Sequence, residues 1–158
     1  MEVVMRKMVP LLIAALLVFS LTLPGYAERT RYRADLDGSH EVPPVKTEAT
    51  GDLRLTVFER SLTFELNVTG LMSPIAASIH HGKRGQNGPP IAGLFGGPAR
   101  TGEVNGMLAE GTITDDSLLG ELEGKRVVDL LRLIKSGQAY VNILTGTFPD
   151  GEIRGQIK

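Results

Sequence analysis

The stretch Leu53-Arg54-Leu55-Thr56-Val57, followed after Phe58 to Ser61 by Leu62-Thr63-Phe64-Glu65-Leu66-Asn67-Val68, decides the fold class. Leu53, Leu55 and Val57 alternate with Arg54 and Thr56. Leu62, Phe64, Leu66 and Val68 alternate with Thr63, Glu65 and Asn67. Successive side chains of a strand point to opposite faces, so this alternation sets one apolar face on a core and one polar face in water. The link from Phe58 to Ser61 is of hairpin length, which makes the two runs antiparallel neighbours.

Further strands are read outward from this pair at Thr30 to Leu36, Ile75 to His80, Val104 to Ile113, Tyr140 to Thr145 and Glu152 to Ile157. In the last, Ile153 and Ile157 are expected to face in, and Glu152, Arg154 and Gln156 to face out. Gly and Pro separate these runs at short intervals. Pro89, Pro90 and the following Ile91 to Gly97 read as extended or looped chain. One segment breaks the pattern. Lys125 to Lys135 places Val127, Leu130, Leu131 and Ile134 on one helical face, and Gly137 stands where a helix C-terminus favours it. Asp115 and Asp116 are placed to cap a shorter turn. The reading is an all-β fold, a β-sandwich or a Greek-key barrel, with one short helix near 125–135.

The first 27 residues are expected to stand outside that fold. Arg6 and Lys7 precede an apolar run from Val9 to Leu23, and small residues at Gly25 and Ala27 follow. This is the order of a secretory signal peptide, with cleavage expected after Ala27 and a single domain over 28–158; a retained membrane anchor is the competing reading, for which the apolar run is short. Cleavage removes Glu2, Arg6 and Lys7. It leaves 131 residues with 15 basic and 17 acidic side chains, a net charge of −2. A balance this even argues against nucleic acid and anionic membranes as partners. No second long apolar run follows, so no membrane span is expected after cleavage. The chain has no cysteine. Disulfides, thiolate metal sites and thiol catalysis are therefore excluded, and packing alone holds the fold.

Three strings carry a family resemblance. They are His40-Glu41-Val42-Pro43-Pro44-Val45; Ile79-His80 followed by Gly82, Gly85, Asn87 and Gly88; and Tyr140-Val141-Asn142 with Gly151-Glu152-Ile153-Arg154-Gly155-Gln156. In this order and at this separation they resemble a CHRD (chordin-type) domain over about residues 30–158, in particular the solitary exported members of bacterial type. The resemblance implies an immunoglobulin-like or superoxide-dismutase-like β-sandwich. It implies no established reaction. In chordin itself such modules belong to an extracellular antagonist of secreted growth factors.

The resemblance also points to a place for a site. The family pattern commonly reads His-Ile-His in the middle strand and Asn-Val-His-Thr in the penultimate one. Residues i and i+2 share a strand face, so those strings would offer imidazoles to copper or zinc. Here the strings read Ser78-Ile79-His80 and Asn142-Ile143-Leu144-Thr145. The candidate ligands reduce to His80, Ser78 and Asn142, with His81 expected on the opposite face. One imidazole with a hydroxyl and an amide is a poor transition-metal set.

Other constellations point to structure. Glu41 and Arg154 read either as a catalytic acid with an anion anchor or as an ion pair or cap locking the N-terminal turn onto the last strand. The second reading is preferred, and Pro43, Pro44 and Glu152 belong to the same motif. The loop from Gly82 to Pro90 lacks the following helix that a phosphate cradle needs. No nucleophile elbow or calcium loop is present. The functional expectation is a secreted or periplasmic, non-enzymatic binding or structural module with an unknown protein or cell-surface partner and no cofactor. A copper or zinc protein linked to redox chemistry, and an enzyme acting on cell-surface material, are the alternatives.

Overall fold

The computed structural model describes residues 29–158, and the expected signal peptide lies outside them. Within that range the chain forms β1 (Arg31–Asp37), β2 (Thr50–Phe58), β3 (Ser61–Met72), β4 (Pro74–His81), β5 (Pro90–Gly96), β6 (Glu103–Ile113), α1 (Val127–Lys135), β7 (Ala139–Thr145) and β8 (Ile153–Gln156). The all-β class with one short helix holds. The segment after Pro89 is a strand, β5, where the sequence left extended or looped chain open. Pro90 sits at its first residue, where the missing N–H costs no interior ladder bond.

The deciding pair folds as read. Leu53, Leu55, Leu62 and Leu66 are fully buried, and Arg54, Thr63 and Glu65 are exposed. Phe58 pairs with Ser61, and Glu59, in the left-handed region at φ 51°, turns the chain between them.

All eight strands join one hydrogen-bonded sheet in the order β5-β4-β7-β8-β1-β2-β3-β6, with every pairing antiparallel. The sheet falls into two four-stranded halves. β1 and β8 meet at a single register pair, Asp37 with Arg154, and Arg33 and Lys158 exchange two backbone bonds of 2.8 and 2.9 Å further along. The chain passes from one half to the other at β3–β4, returns at β5–β6 and crosses again at β6–β7, through α1. The sheet curls far enough that its free edges approach. Arg100, between β5 and β6, stacks 5.6 Å over the Phe95 ring of β5 and donates to the carbonyls of Met107 and Leu108 on β6.

One continuous core fills the curl. Leu53, Leu55 and Leu66 from one half share it with Ile79, Val141, Ile143 and Ile153 from the other. α1 closes it with Val127, Leu130 and Ile134 buried. Its first turn is capped from a distance, because the Asp115 carboxylate accepts from the Val127 N–H at 2.6 Å. That bond satisfies a donor with no partner inside the helix. Arg132 and Lys135 lie in the last turn, where cations are favoured.

Candidate functional site: a roofed polar layer on β4, β7 and β8

One correction leads to the site. Glu152 and Arg154 do not face solvent; they are 5% and 2% exposed. Both lie away from Ile153 and Ile157 as the alternation requires, but that outer face is covered. Register places Ser78, Asn142, Arg154 and Asp37 side by side across β4, β7, β8 and β1. The adjoining rung holds His80, Tyr140 and Gln156. The loop 82–89 lies over these residues. A Cβ on Gly88 would stand 1.7 Å from the His81 carbonyl oxygen, so only glycine lets the loop come this close.

Arg154 fastens the roof. It donates to Asn87 Oδ1 at 2.8 Å, to the Gln86 carbonyl at 2.7 Å and to the Lys83 carbonyl at 3.2 Å. Its guanidinium lies 3.5 Å from the centre of the Tyr140 ring. A planar cation that caps carbonyls while resting on an aromatic face is a role lysine cannot fill. The Tyr140 hydroxyl accepts from Gly88 N–H at 3.0 Å, and the Tyr140 and His80 rings stack at 5.1 Å. Asn87 carries the tie onward by donating to the Val42 carbonyl at 2.7 Å.

The link from the N-terminal turn to the last strand therefore runs through Asn87. Among the described residues Glu41 and Arg154 form no direct ion pair within 4.0 Å. Glu41 is buried, 6% exposed, and its Oε1 has no hydrogen-bond partner. Burial pushes its pKa up to about 7, against the pull of the Arg154 charge and a bond from the Val42 backbone. Asn142 Oδ1 is likewise buried and unpartnered, while its Nδ2 donates to the Asp150 carbonyl at 3.1 Å. Both unpartnered oxygens lie within 3 Å of where a Cβ on Gly151 would stand, 2.7 Å for Glu41 and 2.5 Å for Asn142. Glu152 has both oxygens engaged, by Thr47 at 2.7 Å and Thr145 at 2.6 Å. Pro43 and Pro44 are exposed on the turn.

The structure brings Ser78, His80 and Asn142 together and sends His81 elsewhere, to Glu121. Copper or zinc does not fit the residues present. His80 Nδ1 donates to the Gly88 carbonyl at 2.8 Å, which leaves Nε2 to accept from the Ser78 hydroxyl at 2.9 Å. Both ring nitrogens are used, and burial lowers the His80 pKa, as does the Arg154 charge, against the Gly88 bond. Among the described residues no three His, Cys, Asp or Glu side chains converge. Tyr140 and Asn87 belong to strings the sequence singled out, but their bonds to loop and turn backbone have no local signature.

The CHRD domain family model matches residues 32–157. The chain belongs to the CHRD domain family. Comparison with curated proteins and with solved structures finds no match.

Proposed function

We propose that the protein is an exported, non-enzymatic binding or structural module acting outside the cytoplasm. The observation that carries this reading is the use of the family-marking polar groups. Arg154 and Asn87 hold a loop and a turn to the sheet, Glu152 joins two threonines, and His80 has both nitrogens engaged. Such groups position backbone; a nucleophile, a free base or an open metal position would need unengaged atoms facing solvent. The surface left for recognition is the loop 82–89 and the outer strand faces. Loops on a rigid sheet are where recognition is built when the layer beneath is structural.

The test has two arms. The full chain is expressed with its leader in a host with an envelope, and the product is fractionated and weighed. The expected product is a chain of residues 28–158 outside the cytoplasm. A chain of full mass retained in the cytoplasm overturns export. The same product is analysed for copper and zinc and titrated with each. Weak titration that is indifferent to His80→Ala supports the module; stoichiometric metal that requires His80 overturns it in favour of a metalloprotein.

A further inference from the structure

The outer face of β1, β2, β3 and β6 carries a charge pattern that folding does not explain. Register sets Arg33 beside Arg54, Arg54 beside Glu65, and Glu65 beside Glu110, so one rung across four strands reads plus, plus, minus, minus. Like charges directly opposite on neighbouring strands are destabilising, and this rung holds two such pairs. All four residues are exposed. Arg54 reaches Asp52 on its own strand at 3.5 Å; among the described residues Arg33, Glu65 and Glu110 are in no ion pair. The rung on one side reads Arg31, Thr56, Thr63, Thr112, and on the other Asp35, Asp52, Asn67, Met107. The face forms an open groove of about 1230 Å³.

We propose that this face is a two-fold interface with a second copy of the same chain. The two-fold axis runs parallel to the strands between β2 and β3. Rotation about it turns the second copy over and reverses each rung from left to right. Arg33 then meets Glu110 of the second copy, and Arg54 meets its Glu65. Thr56 meets Thr63, Asp52 meets Asn67, Arg31 meets Thr112 and Asp35 meets Met107. No like charges oppose each other across the interface, and the two like pairs of the charged rung gain opposite charges there, while the Asp35–Asp52 pair meets the uncharged Met107 and Asn67. Shape follows the same symmetry. A twisted sheet has a saddle-shaped surface, and a saddle superposes on itself under this rotation, so the hollow diagonal of one copy receives the raised diagonal of the other. The result is aligned sheet-on-sheet packing, with the sheets about 10 Å apart. A closed, self-complementary contact of this kind gives a dimer rather than a fibre. The proposal depends neither on the compartment nor on the roofed layer.

The experiment is sedimentation of the purified protein at low ionic strength, with three variants. Wild type is expected to dimerise and to dissociate as salt rises, because the pairs are screened. R33E/R54E makes the rung wholly acidic, and E65R/E110R makes it wholly basic. Each alone is expected to weaken self-association more than about a hundredfold, and an equimolar mixture to form a heterodimer. The fourfold exchange R33E/R54E/E65R/E110R keeps a cation opposite an anion between β2 and β3, so it guards against variants that fold poorly. It is expected to dimerise with itself and to refuse wild type, since the carboxylate introduced by R33E would then meet wild-type Glu110. A wild type that stays monomeric at millimolar concentration overturns the proposal. So does dimerisation indifferent to these exchanges, or a monomer that uses the arginines to hold heparin.

Discussion

Glu41 is a carboxyl whose oxygen has been taken out of water without a replacement partner. Its raised pKa makes the sign of its effect definite. Below the unfolded value of 4.5 both states hold the proton; between 4.5 and about 7 the folded state holds it more firmly. Stability from this group is therefore complete below pH 4.5 and is lost as pH rises through 7. His80 works the other way, because its lowered pKa removes stability as pH falls. The difference between wild type and Glu41→Gln isolates the first effect. Relative to wild type, the variant is expected to gain stability as pH rises from 4.5 to 7, by an amount on the order of 3 kcal/mol. Chemical denaturation at pH 4.5, 6 and 8 measures it, and a difference independent of pH would remove the buried-proton account. Gly151 sets how close these groups come. It lies at φ 136°, and any side chain there would strike Glu41 and Asn142, so Gly151→Ala is expected to lose at least about 2 kcal/mol.

The loop 82–89 shows how one element is fixed from beneath. Its own side chains Lys83 and Arg84 point to water, while its carbonyls are held by Arg154. Charge on the loop and charge under it should behave differently. Replacing Lys83 and Arg84 together by Ala is expected to change stability by less than about 0.5 kcal/mol. Arg154→Ala removes the buried donor that holds three loop acceptors and covers the Tyr140 face, and is expected to cost about 3 kcal/mol, with little rescue by Lys. Thermal melts of these variants against wild type decide this. Equal, small effects would mean that the roof is held by glycine packing alone.

For the whole molecule, the two free edges of the sheet meet but do not pair. A long unpaired edge such as β6 invites another strand. Arg100 occupies it by capping two carbonyls of β6 while resting on β5. Arg100→Ala is expected to cost about 1–2 kcal/mol and to speed hydrogen exchange at the amides of β5 and β6 above all others. Exchange unchanged at both edges would show that the curl is held by the core without this clasp. The clasp and the proposed two-fold face share β6, so exchange is measured at high salt, where the charged pairs across that face are screened.

Period-two alternation by itself determined that this chain is built of strands, where β2 and β3 lie and which of their faces is buried, because strand geometry assigns each residue a side without reference to the rest of the chain. The helix was legible for the same reason, from its own apolar spacing. The three strings marked the family and drew attention to Ser78, His80, Asn142, Glu41 and Arg154. Only the tertiary structure decided what those residues do. Alternation says which way Glu152 and Arg154 point, but not that residues far away in the chain cover them. The partners of Arg154 lie 67 to 71 residues away, and the register that sets Arg33 beside Arg54 and Glu65 beside Glu110 depends on strands paired across the fold. Contacts of that separation follow from topology, which no local pattern records.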